Sequence, residues 1–299
     1  MIQSDVLICG DGASGTWFDG CKVTPKDFVK WFLLSPTANI DLLADTFDEA
    51  ARALLIKKNK LVALNDILQV SDAGAKNNYQ TLPNKKKIFI SQGLYEFMAE
   101  FEANVCLVKS LHKLAKKKWQ LLLLDSEGKL FFDSKGGKLN GFEIQDLSVD
   151  NETVNDGGSK LAMMTLTAQF TQDGTTGYNK RRSFLVSDEF YEINGVQDVK
   201  IAATVLAHAT LAVTVMSGCD GSSPVSGLVT ANFRVRNAST LAPIAVTAAE
   251  TEDGTYTLSG VASALDVLID LYDATNSSPI VDIESVQFYQ SNVLAAELT

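Results

Sequence analysis

Several absences narrow what this chain can be. It has no run of 18 apolar residues, so no helix is expected to span a membrane. The opening MIQSDVLICGDG has neither a basic region nor a long apolar stretch, so no secretory signal is expected there. Cysteine is scarce: Cys9, Cys21, Cys106 and Cys219 lie far apart without CxxC spacing, which excludes a zinc-knuckle pattern. Buried free thiols in a reducing compartment are the expected state, with a Cys9–Cys21 bond across a loop as the alternative. There are only two histidines, His112 and His208, and neither stands in a motif with a serine or cysteine nucleophile. HExxH and a phosphate-binding loop are also missing. No catalytic, cofactor-binding or metal residue is therefore nominated, and the chain is not read as an enzyme.

Positive charge is short as well. The net charge is −10, and from Val196 onward Lys200, Arg234 and Arg236 face eleven acidic residues. Such a surface repels a nucleic-acid backbone, so specific DNA binding is not expected. Two basic spots stand out: the lysines at 113 and 116–118, expected as the solvated end of a helix with a phosphate site as the alternative, and Asn179–Arg182, expected in a loop after Gly174 and Gly177 as a salt-link site between subunits with nucleic-acid contact as the alternative.

What is present is dominated by residues 119–171. Gln120–Leu124 is a continuous apolar run closed by Asp125-Ser126-Glu127-Gly128, a turn with glycine where a positive φ is wanted. Lys129–Asp133 returns as a strand, and Gly141–Val149 alternates imperfectly, as a strand with one bulge does. Asn155-Asp156-Gly157-Gly158 is a hairpin signal leading into Leu161–Thr171, whose Ala162, Met164, Leu166, Ala168 and Phe170 share one face.

Around this stretch, helices are expected from Thr24-Pro25 to Ser35, from Asp41 to Lys57, and from Gly93 to Lys117, with His112 packing at the edge of the last one's apolar stripe. Leu61–Val70 and Lys87–Ile90 read as strands, and Ser71–Asn84 between them as a polar loop. Gly10-Asp11-Gly12-Ala13-Ser14-Gly15 spells GxGxxG. The breakers Asp19-Gly20 and Pro25 leave no room for the helix whose amides would meet a pyrophosphate, so a flexible loop is expected there.

From Val196 the texture changes to about seven short strands with turns every 8–12 positions, the pattern of an immunoglobulin-like sandwich. Asp266, Asp270 and Asp273 alternate with apolar residues there, as an acidic exposed face would. The expected fold is thus α+β: an N-terminal antiparallel β domain with packed helices (1–195), then an all-β immunoglobulin-like sandwich (196–299).

Asp253-Gly254-Thr255-Tyr256-Thr257-Leu258 and Gly227–Phe233 resemble turn-and-strand segments of bacterial and phage immunoglobulin-like modules. With the element order, and with the Cys9…Cys21, Lys118–Asp125 and Gly141-Phe142 segments, the chain resembles structural proteins of tailed phages, in particular tail tube proteins. The resemblance implies self-association into stacked rings that conduct DNA without binding it specifically. It also implies contact with other virion proteins, no membrane, and a place in the virion after assembly in the host cytoplasm. Closure would come from open strand edges in residues 119–171 pairing with neighbouring copies. A capsid or capsid-decorating protein is the alternative, and a surface adhesive or carbohydrate-binding protein is the second.

Overall fold

The structure, a computed structural model, describes residues 27–42, 44–45, 47–72, 74–102, 105–150, 162–186, 192–207, 210–218, 221–261 and 266–297. Cys9, Cys21, Cys219, His208, the GxGxxG segment and Asn155–Gly158 lie outside them. Two units form. One comprises Met1–Asp48 with Lys60–Tyr191, and the other Glu49–Asn59 with Glu192–Thr299. The chain thus lends helix α1 (Glu49–Lys57) to the second unit before returning to the first.

The first unit opens with strands β1 (Phe28–Leu34) and β2 (Ile40–Asp41). After the excursion come β3 (Leu61–Leu64), β4 (Ile67–Asp72), β5 (Asn78–Thr81), β6 (Lys87–Ser91) and β7 (Glu96–Glu102). Helix α2 (Val105–Ala115) leads to β8 (Gln120–Asp125), β9 (Lys129–Lys135), β10 (Lys138–Asn140), β11 (Phe142–Val149) and β12 (Met163–Phe170). Helix α3 (Gln172–Asn179) and β13 (Arg182–Leu185) finish it. Eleven strands join one branched sheet along the path β2-β10-β9-β8-β11-β12-β7-β4, while β1, β3 and β13 attach to its sides.

β8 is the axis of this sheet. It pairs with β1 along one edge; on the other its end meets β9 and its start meets β11. Leu121, Leu122, Leu123 and Leu124 are all fully buried, which is why the run is apolar at consecutive rather than alternate positions. Where β9 and β11 part, Gly141 approaches so closely that a Cβ there would lie 2.7 Å from the Gln120 Cβ. β11 carries a register shift between Ile144 and Asp146, and β12 alternates with Met164, Leu166, Ala168 and Phe170 buried.

The α+β expectation is overturned: among the described residues strand makes up 54% and helix 13%, with three α-helices. Residues 28–34 are a strand inserted between β3 and β8, buried from Trp31 to Leu34. The expected helix over 93–117 is cut in two. Its first half is β7, whose Phe97, Ala99 and Phe101 alternate inward against Glu96, Met98 and Glu100, in a seven-residue register with β12. The helix expected over 41–57 begins only at Glu49, and the loop expected over 179–182 shrinks to Lys180 and Arg181 between α3 and β13. β7 pairs with β12 on one edge and β4 on the other, and that pairing outweighs a helix-compatible stripe.

The second unit is a β-sandwich. Its strands are β14 (Val196–Ala207), β15 (Thr210–Ser217), β16 (Ser223–Pro224), β17 (Phe233–Asn237), β18 (Pro243–Ile244) and β19 (Thr247–Glu252). They continue with β20 (Thr255–Ser259), β21 (Asp266–Leu271), β22 (Ile280–Ile283), β23 (Gln287–Ser291) and β24 (Leu294–Glu297). One sheet runs β19-β20-β15-β14-β23-β22 with β16 beside β15; the other runs β18-β17-β21-β24. Ile201, Leu211, Val213 and Val215 from the first meet Val235, Val267, Ile269 and Leu271 from the second in one core. This two-sheet architecture is consistent with an immunoglobulin-like module.

Candidate functional site

The charged groups singled out in the sequence are mostly absorbed by the fold. Asp270 is not on an exposed face: it is buried, and it receives the Arg234 Nε at 3.0 Å together with an ion pair from the Arg234 Nη2. Arg236 closes on the same carboxylate at 3.5 Å, and the Arg234 guanidinium stacks 3.7 Å from the centre of the Tyr272 ring. Asp273 faces the Lys57 Nζ at 2.7 Å, and Asp282 shares that ammonium at 2.5 Å. Burial alone would raise the Asp273 carboxyl, but the donors from Lys57 and Asn276 outweigh it and hold it at about 2. Only Asp266 of the three alternating acids is exposed. No group of three or more His, Cys, Asp or Glu able to hold a metal occurs among the described residues.

The basic spots divide. Lys113 and the lysines at 116–118 are exposed, and so is His112, which was expected to pack. Arg181 instead covers the Tyr178 ring at 4.7 Å, and its Nη1 donates to the Tyr178 carbonyl at 3.1 Å. Tyr178 is set among Tyr95, Phe97 and Phe142, and burial pushes its hydroxyl up to about 12. Cys106 is disulfide-bonded, which corrects the expectation of a free thiol at that position.

The described strands of 119–171 are largely paired within the chain. Each of β8, β9, β10, β11 and β12 pairs with at least two strands, although β11 meets β8 only at Phe142 and Glu143. Among the described residues of the first unit, the single-sided strands of the large sheet are β2, β3, β4 and β13. Two of these carry an exposed leucine: Leu68 on β4 is 55% exposed and Leu185 on β13 is 65% exposed. Natural edge strands are usually guarded by charge, proline or a covering segment.

The second unusual surface is the hairpin β5–β6, a two-stranded sheet with every residue of both strands exposed. Tyr79 and Phe89 touch edge to face at 5.9 Å, and Ile88 and Ile90 flank them. Its two ends cross tightly, since a Cβ on Gly93 would fall 2.1 Å from the Lys76 carbonyl oxygen. A cleft of about 450 Å³ opens at this root, with Lys76 and Glu96 as its charged lining groups. Sequence reasoning found β6 but put β5 in a polar loop; the alternation of Tyr79 and Thr81 was the available signal. No protein-family model matches the chain, and no curated protein matches it.

Proposed function

We propose that this chain is a structural building block that assembles with copies of itself, of the kind found in virions. A ring of a tail tube is the form suggested by the resemblance, and a capsid lattice is the alternative. The observation that carries the reading is the pair of edges β4 and β13, each with one strand partner among the described residues and an exposed leucine. Pairing between copies would engage the backbone of those edges and cover the leucines. The closing strands proposed here are β4 and β13, which pair on one side only, whereas β8–β12 each pair with at least two strands of the chain. Electron micrographs and light scattering of the purified chain test this. Rings, tubes or shells are expected, and a monomer at every concentration would refute it.

A second reading, a surface adhesive protein, is favoured by one observation: disulfides such as that of Cys106 persist in oxidising surroundings. Fractionation of the source cells separates the two readings, since an adhesin would be recovered from the surface without particles.

A further inference from the structure

Isolated two-stranded hairpins are marginal in water, and this one offers both faces to solvent. Tyr79 is 53% exposed, Ile88 45%, Phe89 54% and Ile90 60%. Scattered apolar residues on a surface are ordinary, whereas four on nine strand residues form a patch of the kind that marks an interaction surface. Its charge is equally uneven. Residues 74–93 hold Lys76, Lys85, Lys86 and Lys87 and not one acidic side chain, in a chain of net charge −10. The three consecutive lysines sit exposed at the turn between β5 and β6.

A surface of matching chemistry exists on the sandwich. β19 ends its sheet, pairing only with β20. At Ala248 its free edge is capped by Thr230, whose hydroxyl lies 2.9 Å from the Ala248 amide and 3.3 Å from its carbonyl. Beyond that cap the strand turns acidic and exposed through Glu250, Glu252 and Asp253. The Glu250 carboxylate is engaged by the Gly227 amide at 3.0 Å, which fixes the 227–230 segment alongside β19 and places Val229, 59% exposed, on the same side of the sandwich. An apolar shaft with a lysine tip thus has a counterpart in an apolar residue beside an acidic strand end.

We propose that the β5–β6 arm docks on a second copy of this chain, with its lysine tip against the acidic end of the neighbour's β19 and its apolar shaft toward Val229. This rests on the self-assembly reading and deepens it by naming the surfaces. Membrane insertion is disfavoured because strands of four and five residues are too short, where about nine to eleven are needed to cross hydrocarbon.

The test is sedimentation and light scattering of the full chain at low and high salt. Lys85→Glu, Lys86→Glu and Lys87→Glu combined should weaken association by roughly tenfold or more. Adding Glu252→Lys and Asp253→Lys to the reversed arm should restore much of it. Phe89→Ser probes the shaft separately, and an unchanged melting curve confirms that these exposed changes leave the core intact. If the wild type assembles and the reversed arm assembles equally well, this inference is overturned while self-assembly stands. If the wild type never associates, both are overturned. Binding to a mixed-sequence single-stranded oligonucleotide or to anionic vesicles that disappears with the lysines, without any change in self-association, would assign the arm another occupant and overturn the proposal.

Discussion

The Lys57 Nζ lies 2.7 Å from the Asp273 Oδ2, and the Ser278 hydroxyl donates to the Lys57 carbonyl 221 positions earlier in the chain. One residue thus ties α1 to the sandwich through both its side chain and its backbone. Lys57→Met leaves Asp273 and Asp282 facing each other without their cation. We expect a loss of about 2 kcal/mol, toward the low end for a broken ion pair because these side chains retain some exposure. Denaturant titration of the full chain measures it.

The same pair predicts acid sensitivity. Asp273 is held at about 2, so it binds its proton less readily when folded than when unfolded, where carboxylates titrate near about 4. Its contribution is therefore full above about pH 4 and is lost as the pH falls toward about 2. Stability measured across this window should fall steeply for the wild type, and less steeply for Lys57→Met, in which the carboxyl has lost its main partner.

Tyr256 is completely buried; its hydroxyl donates to the Val225 carbonyl at 2.7 Å and accepts from the Leu228 amide at 3.1 Å. Tyr256→Phe keeps the ring against Phe233 but strands both backbone groups. A cost of roughly 1–3 kcal/mol is expected, together with faster amide exchange at Leu228.

Gly174 brings α3 onto β11. A Cβ there would sit 2.2 Å from the Glu143 carbonyl oxygen, which is backbone and cannot swing aside. Gly174→Ala should push α3 off the sheet and loosen Tyr178 from its aromatic neighbours, costing about 2 kcal/mol or more. Near-ultraviolet circular dichroism should report the weakened tyrosine environment.

Leu68→Lys and Leu185→Lys place charge on the open edges β4 and β13, both on exposed side chains. The monomer's melting temperature should barely change, while assembly by light scattering should weaken with each substitution and more with both. Unchanged assembly in the double variant would remove these edges from any interface.

The legible parts of the fold were those with local punctuation. The buried run Gln120–Leu124, the turn ending at Gly128 and the bulged strand over 142–149 all announce themselves in sequence. Phe97, Met98 and Phe101 suit a helix face, but Phe97, Ala99 and Phe101 also suit a strand, and only β4 and β12 on either side decide between them. Asp270 looked solvated because nothing nearby in sequence reveals that Arg234 stands across from it on β17, with Arg236 reaching the same carboxylate from two positions along. The lysines of the arm were visible from composition. That Tyr79, Phe89 and Ile90 stay exposed among the described residues is a tertiary fact, and no periodicity encodes it.

The loan of α1 has a consequence for how this protein can be taken apart. No single scission yields both units whole: a piece beginning at Glu192 lacks the helix, and a piece ending at Tyr191 carries it without the strands that receive it. During synthesis, Glu49–Lys57 leaves the ribosome long before β22 does, so its buried Ile56 must wait for the last part of the chain to arrive. Grafting the sandwich onto another protein would require moving two separate segments.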